Sequence, residues 1–337
     1  MSTSELHPDQ TLEPSFSALE QAAEWFALLR SGEASPDDQN NWQNWLAAQA
    51  EHRQAWQYVE RISGRFEPIQ NSSNRQAAVQ SYCLANQRLG RRRQLLLGLG
   101  TLAGAGLGGW FAWQHTSVSQ TVLAWSAEHR SPQGDVRKLV LPDGSTVWLS
   151  SDTALNHDFR ADQRVLSLVA GEILVETAAD PSRPFLVNTR QGQLRALGTR
   201  FTVRLDGQET LLAVYQGAVQ IDTSARNTRR IVHAGQQTRL SHSHIAELAP
   251  AAPERQSWVK GIIVTDNTPL LDVVNELQRY RGGYISVSPE AAQLPVIGSY
   301  PATDPDRALS MLEGVLPIRI KRTLPWWVSI EVAQAGR

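Results

Sequence analysis

The spacing of hydrophobic and polar positions changes twice along the chain. In the first 70 residues apolar side chains recur three and four positions apart, which predicts helices. A long run without charge follows, and beyond residue 120 apolar and polar residues alternate in short runs, which predicts strands. The predicted boundaries are residues 1–85 for a small all-α bundle, 86–93 for a basic segment, 94–114 for one apolar helix, 115–253 for an all-β domain and 254–337 for a C-terminal α+β domain.

The helical bundle contains two clear start signals. Ser17 and Glu20 have the spacing of a capping box, and the helix that follows ends at Gly32. Ser35 directly before Pro36 marks the start of a second helix. A third helix carries apolar residues at helical spacing: Ala55, Trp56, Val59 and Ile62.

The all-β domain is predicted from a hairpin and a series of short strands. Asp143-Gly144 supplies the turn between Val136–Leu141 and Thr146–Leu149. Further alternating runs are separated by glycines: Val165–Leu168, Ile173–Glu176, Phe185–Val187, Phe201–Leu205, Leu211–Tyr215 and Val219–Ile221. Regular short strands of this kind predict a sandwich-like or solenoid-like domain.

The C-terminal region mixes the two periods. A strand at Ile262–Val264 is followed by a helix that opens at Pro269 and runs through Tyr280, and then by a strand at Tyr284–Val287. The same order of strand, helix and strand returns from Val296 onward. We therefore expect two βαβ-like units with sheet edges available to a partner.

The uncharged run in the middle of the chain predicts a transmembrane helix. Leu95 to Trp113 are 19 residues without a charge, which span roughly 28 Å as a helix, close to the hydrocarbon core of a bilayer. The flanking residues expected to set the orientation are Arg91, Arg92 and Arg93 before the run, and Trp110 and Trp113 at its end. The bundle is then cytoplasmic and the later domains lie outside. The alternative is a soluble protein with a buried, glycine-rich helix.

Three glycines, Gly100, Gly104 and Gly108, form two overlapping Gly-x-x-x-Gly steps within this run. They are interpreted either as ordinary glycine enrichment or as a site of helix packing or local unwinding.

Charge is distributed unevenly and bears on possible partners. Residues 1–70 carry 4 arginines against 11 acidic residues, whereas residues 71–93 carry 5 arginines and no acid. An acidic bundle is a poor ligand for phosphate backbones, so direct nucleic-acid binding is not expected and a protein partner is. The single cysteine, Cys83, precedes the uncharged run, so the later domains contain no internal disulfide.

The bundle is unusually rich in tryptophan, with Trp25, Trp42, Trp45 and Trp56. Each of these can simply belong to the core. A bundle of under 70 residues has little room for every large side chain, however, so some of them are expected to form an exposed groove for a partner helix.

Motifs for turnover chemistry are not found. The sequence has no Gly-x-Ser-x-Gly, no Walker loop and no dinucleotide fingerprint. His242 and His244 could share one strand face, but no cysteine or carboxylate cluster completes a metal site near them. We expect no cofactor and no metal.

Several segments resemble the FecR family and occur in that family's order. They are Arg137–Ser145, Gly171-Glu172, Arg183–Val187, Leu197–Val203 and Gly217–Val219, with further similarity at Trp42, Trp45-Leu46, His52, Ala55-Trp56, Pro269-Leu270 and Tyr280. The resemblance covers nearly the whole chain. It implies a single-pass regulator of the bacterial inner membrane, an anti-sigma factor with its N-terminus in the cytoplasm and its C-terminus in the periplasm.

The resemblance also implies partners. The helical head is expected to bind an ECF sigma factor through Trp25, Trp42, Trp45 and Trp56. The C-terminal domain is expected to receive a signal from the periplasmic signalling domain of a TonB-dependent ferric-siderophore transporter. Periplasmic and intramembrane proteases are then expected to release the head.

One dipeptide, Gly198-Thr199, is a candidate for chemistry. By resemblance to self-cleaving members of the family, the threonine hydroxyl would attack the preceding carbonyl. Glycine permits a strained backbone and threonine supplies the nucleophile. The alternative is a glycine bend that leads into the strand at Phe201.

A different class of function also remains open. The chain could be a membrane-tethered periplasmic protein that binds or hydrolyses a glycan or a peptide, with its bundle acting only as an anchor.

Overall fold

The structure, a computed structural model, describes residues 14–70, 127–225 and 228–333. The helices are α1 (Phe16–Ser31), α2 (Pro36–Ala48), α3 (Ala50–Gln70), α4 (Leu270–Tyr280), α5 (Pro289–Ala292) and α6 (Pro305–Val315), with a 3₁₀ helix at Pro253–Lys260. The first strands are β1 (His129–Ser131), β2 (Arg137–Val140), β3 (Thr146–Leu149), β4 (Thr153–Phe159), β5 (Arg164–Ala170), β6 (Glu172–Glu176), β7 (Phe185–Asn188), β8 (Gly192–Ala196), β9 (Arg200–Asp206) and β10 (Glu209–Gln216). The remaining strands are β11 (Ala218–Thr223), β12 (Arg229–His233), β13 (Gln236–Leu240), β14 (Ala249–Pro250), β15 (Ile262–Pro269), β16 (Tyr284–Val287), β17 (Pro295–Pro301), β18 (Ile318–Leu324) and β19 (Trp327–Val332).

Helix α1 begins two residues earlier than the sequence predicts. Its N-cap is Ser15, whose hydroxyl accepts a hydrogen bond from the Ala18 amide at 3.3 Å. The Ser15 amide donates to Glu51 at 2.7 Å, which ties the start of α1 to α3. The predicted stop at Gly32 is confirmed, because that residue is left-handed with φ of 80°.

Helix α2 has the start that its sequence predicts. The Ser35 hydroxyl accepts from the Asp38 amide at 3.1 Å, and the Asp38 carboxylate accepts from the Ser35 amide at 2.9 Å. Pro36 follows the cap, where its missing N–H costs nothing. The two carboxylates of the first turn, Asp37 and Asp38, suit the positive end of the helix.

The β-rich region consists of two seven-stranded sheets with a core between them. One sheet has the order β1-β4-β5-β7-β8-β11-β12, and the other has the order β14-β13-β10-β9-β6-β3-β2. The chain alternates between the sheets every one or two strands, and all pairs are antiparallel except the parallel pair β5 and β7. Side chains from both sheets meet in one apolar core that includes Leu155, Phe185, Leu194, Phe201 and Leu212. The sandwich form of the prediction is therefore the observed one.

The C-terminal region contains the helices and strands that its sequence predicts, but the strands pair differently. Strand β15 pairs with β17 in a two-stranded antiparallel sheet, and β16 pairs in parallel with β19 in a separate three-stranded sheet. The strands on either side of α4 thus belong to different sheets, as do those on either side of α6. Two βαβ crossovers are not formed, because strand pairing depends on partners distant in sequence.

The predicted transmembrane helix is not found among the residues that the structure describes. Within residues 14–70, 127–225 and 228–333, no helix is long and apolar enough to cross a membrane, and the predicted fold is wrong in including one. The longest described helix, α3, is interrupted by charges such as Glu51, Arg53 and Glu60. The predicted segment 94–114 itself lies outside the described residues. So do the residues assigned to its topology and packing: Arg91, Arg92, Arg93, Gly100, Gly104, Gly108, Trp110 and Trp113.

Residues from the far end of the chain complete the core of the helical head. Trp326 and Trp327 belong to the same buried cluster as Phe26, and the Trp326 ring meets the Phe26 ring edge-on at 5.7 Å. The Lys321 ammonium donates to Glu20 at 2.9 Å beside this cluster. The predicted location puts these two regions in different compartments, whereas here they are in contact. The cellular location stays a prediction.

Candidate functional site

A groove lies on the helical head between α1 and α2. It encloses about 400 Å³ and is lined by Gln21, Glu24, Trp25, Leu28 and Trp45. Helix α2 leaves all of its side chains at least partly exposed, whereas α1 buries Leu19, Ala22, Ala23 and Phe26 on its other side. The head therefore exposes apolar surface that its own three helices do not cover.

Trp45 is held in a fixed orientation at this groove. Its indole Nε1 donates to the Gln21 side chain at 2.7 Å. Its ring stacks on the His52 ring with centroids 4.4 Å apart and planes 6° apart. His52 Nδ1 donates to the backbone carbonyl of Trp45 at 2.7 Å. A rigid aromatic side chain of this kind loses little entropy when a partner binds.

The four predicted tryptophans therefore divide into two pairs. Trp25 and Trp45 line the groove. Trp42 and Trp56 pack on each other with ring centroids 4.9 Å apart, and Trp56 also contacts the Phe26 ring at 5.8 Å. All four are partly exposed, and the buried Nε1 of Trp42 has no hydrogen-bond partner.

Gly198 and Thr199 lie in the short connection that carries the chain from β8 in one sheet to β9 in the other. Gly198 is exposed and left-handed, with φ of 77°. A side chain on Gly217 would come within 2.2 Å of the Gly198 carbonyl oxygen, so the two backbones touch here and Gly217 must be a glycine. The predicted glycine bend is present.

Thr199 is 5% exposed, and its hydroxyl makes no hydrogen bond. Its backbone is held by Thr177: the Thr199 amide donates to the Thr177 hydroxyl at 2.9 Å, and the Thr177 amide donates to the Thr199 carbonyl at 3.1 Å. An unpaired hydroxyl thus lies on the residue that follows an exposed, left-handed glycine. Within the described residues, no base hydrogen-bonds to that hydroxyl.

Asp143, in the turn of the predicted hairpin, takes part in a buried ion pair rather than in a reactive site. The Arg164 guanidinium donates to the Asp143 carboxylate at 2.8 Å, and their side chains are only 4% and 2% exposed. Arg164 also donates to the backbone carbonyls of Arg183, Ala178 and Asp180. Burial opposes the charge of Asp143, but hydrogen bonds from Ser145 and Arg164 outweigh it and lower the pKa of that carboxyl. These residues fix the hairpin turn to the neighbouring strands.

A second charged cluster joins α4 to the sandwich. Arg279 donates to Glu172 at 2.6 Å and to Glu276 at 3.0 Å, and Glu276 also accepts from Arg204 of β9. Beside them the Tyr280 hydroxyl lies 2.9 Å from the Ser150 hydroxyl. Burial by itself would raise the pKa of Glu276, but the charges of Arg279 and Arg204 lower it to about 2.

We expect this cluster to make the chain sensitive to acid. A carboxyl whose pKa is 4.5 when unfolded and about 2 when folded stabilises the fold above pH 4.5, and this contribution is lost as the pH falls towards 2. Glu276→Gln should therefore show a smaller loss of unfolding free energy between pH 5 and pH 3 than the wild type. Urea unfolding at each pH measures it. Glu290→Gln, which removes an exposed carboxylate outside the cluster, is the control, and equal pH dependence in all three proteins would contradict the expectation.

Sequence reasoning missed one cluster of candidate ligands, formed by Glu128, His129 and His157, whose donor atoms lie within 4.8 Å of one another. His129 Nε2 is 3.0 Å from His157 Nδ1, and the Glu128 carboxylate is 2.9 Å from the same Nδ1. Burial lowers the pKa of the His129 ring; Glu128 opposes this effect, while His157 and Arg137 add to it. The histidines considered from the sequence, His242 and His244, are both exposed.

Comparisons with known families and structures agree with this architecture. Residues 127–220 match the family described as FecR protein, and residues 20–62 match a family described as a domain of unknown function, DUF4880. These two matches confirm the resemblance to the FecR family that the sequence predicts.

Two of the structural neighbours are crystal structures, at 1.65 and 2.50 Å resolution, of a proposed anti-sigma factor from Parabacteroides distasonis ATCC 8503. Each is 20% identical with a TM-score of 0.50, and each match covers 61% of this chain and 99% or 98% of the other. The similarity concerns the fold. No curated protein matches the chain. The match to the FecR family supports a regulatory role.

Proposed function

We propose that this chain is an anti-sigma factor that binds an ECF sigma factor through its helical head. The observation that carries the proposal is the groove lined by Trp25, Leu28 and Trp45, which lies within the family-matched residues 20–62. The structural neighbours described as anti-sigma factors support the same class of function.

The groove suits the apolar face of one amphipathic helix. Its two tryptophans and one leucine supply apolar contact, while Gln21 and Glu24 supply a polar side. Residues 1–70 carry 4 arginines and 11 acidic residues, so a helix with basic residues beside its apolar face is the complementary partner. The proposed occupant is such a helix of the sigma factor.

The test is binding of the full chain to a purified ECF sigma factor from the same organism, measured by biolayer interferometry. Trp25→Ala is expected to weaken binding about 30-fold, which corresponds to the roughly 2 kcal/mol typical of a buried interface tryptophan. The change should act mainly on the dissociation rate.

Trp148→Ala is the matched control, because it removes a partly exposed tryptophan from strand β3 of the sandwich instead of the head. We expect it to retain wild-type affinity. Equal losses in both variants, or no complex between the wild-type chain and the sigma factor, would contradict the proposal. A chain that binds no sigma factor but binds a soluble glycan or peptide would instead favour a binding protein.

The source of the signal is also part of this proposal. On the family resemblance, the C-terminal region contacts the periplasmic signalling domain of a TonB-dependent ferric-siderophore transporter, and proteases then release the head. Large apolar side chains exposed in this region support a protein partner: Leu271, Ile297, Met311 and Val315.

A second activity is proposed at Gly198-Thr199, where the unpaired Thr199 hydroxyl favours self-cleavage. The Thr199 oxygen attacks the Gly198 carbonyl carbon, the carbon–nitrogen bond breaks, and the hydroxyl proton ends on the freed amine. Water then hydrolyses the resulting ester, which leaves a carboxylate on Gly198 and a new N-terminus at Thr199. The Thr177 hydroxyl lies 2.9 Å from the nitrogen that must gain the proton.

A further inference from the structure

Two histidines are brought together at the edge of one sheet by strand register. Strand β1 is the edge strand, and its His129 pairs with Leu155 of β4. His157 is two positions further along β4, so the two rings are diagonal neighbours on one face of the sheet. Glu128 immediately precedes β1 and lies beside both rings.

The spacing of the donor atoms fits a single small metal ion. Two nitrogens bound to tetrahedral zinc at 2.0–2.1 Å lie about 3.3 Å apart. The two ring nitrogens here are 3.0 Å apart, and the carboxylate oxygens lie 2.9 Å from His157 and 3.9 Å from His129. Small movements are enough to place all three donors around one ion. The rings need to shift by about a few tenths of an ångström, and the Glu128 side chain needs a small rotation.

The neighbouring residues hold this arrangement in place. The Glu128 amide donates to the Asn156 side chain at 2.8 Å, which fixes the backbone before β1. The His157 ring packs edge-on against Phe159 with centroids 5.5 Å apart. The two imidazoles are largely covered, whereas the Glu128 side chain is half exposed.

We propose that Glu128, His129 and His157 bind one divalent zinc ion, with water completing the coordination. Two imidazoles and one carboxylate are a donor set that zinc prefers, and the exposed side of Glu128 leaves room for the water. Without the ion the same three groups hydrogen-bond one another. On binding zinc they lose the proton shared between them, and all three direct lone pairs at the metal.

The ion would act on the edge of the sandwich. Strand β1 has three residues and pairs only with β4 among the strands that the structure describes. Glu128 and His129 would bind the ion from β1 and the residue before it, and His157 would bind the same ion from β4. The ion would therefore join the two strands in addition to their backbone hydrogen bonds. Zinc is therefore expected to hold β1, at the start of the family-matched residues 127–220, in register with β4.

The test is calorimetric titration of the full chain, without a histidine tag, with zinc chloride, together with its thermal unfolding. We expect one zinc ion per chain. At a hundredfold excess over Kd, the unfolding midpoint should rise by about 5 °C or more. The double variant H129N/H157N should lose both effects, and cobalt substitution should give the visible absorption of four-coordinate cobalt in the wild type only.

The matched control is H242N/H244N, which also removes two imidazoles but from an exposed segment, and it should retain wild-type binding. Glu128→Gln leaves both rings in place and should weaken zinc binding at least about tenfold. Loss of a residue that only hydrogen-bonds to a metal ligand already costs about 10- to 100-fold in affinity, and Glu128 is proposed to be a ligand itself. An H129N/H157N chain that binds zinc like the wild type would overturn the proposal. So would equal losses in the two double variants, or a wild-type chain that binds none.

Discussion

Thr199→Ala is expected to leave the chain intact under conditions in which the wild-type chain yields two fragments, residues 1–198 and 199–337. Alanine has no nucleophile, so the attack on the Gly198 carbonyl cannot begin, and the expected effect is complete loss of cleavage. The measurement is a denaturing gel of chains made by cell-free synthesis without proteases, with mass spectrometry of the smaller fragment to identify Thr199 as its first residue.

Two further variants separate the chemistry from the fold. Thr199→Ser retains a hydroxyl and should still be cut. Gly198→Ala adds a methyl group that meets no atom within 4 Å, so it causes no steric clash. Its effect comes only from the left-handed backbone, which alanine adopts less readily than glycine, and we expect slower cleavage. Identical fragments from the Thr199→Ala chain would assign the cut to another agent. An uncut wild-type chain would reject self-cleavage without bearing on sigma-factor binding.

Arg164→Ala is expected to lower the free energy of unfolding by about 3–5 kcal/mol, because it leaves the buried Asp143 carboxylate without its cation. Three backbone carbonyls, those of Ala178, Asp180 and Arg183, also lose their donor. Urea unfolding at pH 7 measures the change.

The control is Arg160→Ala, which breaks an equally short ion pair with Asp158 at 2.7 Å on the surface. Because the side chains of Arg160 and Asp158 are both mostly exposed, we expect little change in the free energy of unfolding. Arg164→Lys should be intermediate, since an ammonium keeps the charge but cannot donate to four acceptors in one plane. Equal effects of Arg164→Ala and Arg160→Ala would show that burial does not strengthen this pair.

Local signals in the sequence predicted much of the secondary structure. The helix start at Ser35-Pro36, the turn at Asp143-Gly144 and the helix ending at Gly32 depend on residues within a few positions of one another. The start of α1 was placed wrongly because two serines compete as N-cap. The choice of Ser15 over Ser17 is decided by Glu51, which the chain brings from 36 residues away.

Pairings between distant residues could not be predicted in the same way. His129 and His157 become neighbours only through the register of β1 and β4, and Asp143 meets Arg164 across 21 residues. A two-residue period identifies a strand but not its neighbour, which is why the C-terminal strands were grouped into βαβ-like units that the structure does not form. The groove is intermediate: the sequence predicts that some of four tryptophans form it, and the packing of the three helices determines that Trp25 and Trp45 are the ones that do.

The alternation of the chain between two sheets determines what a break after residue 198 would do. In one sheet the break separates β8 from β11, and in the other it separates β6 from β9, while every other pairing stays within one fragment. Five backbone register pairs on each side and a shared apolar core still hold the two pieces together. A nicked molecule is therefore a two-chain complex that stays assembled at rest. Mechanical force on its ends must break both strand pairings, and also the contacts of Trp326 with Phe26 and of Arg279 with Glu172, before the pieces separate.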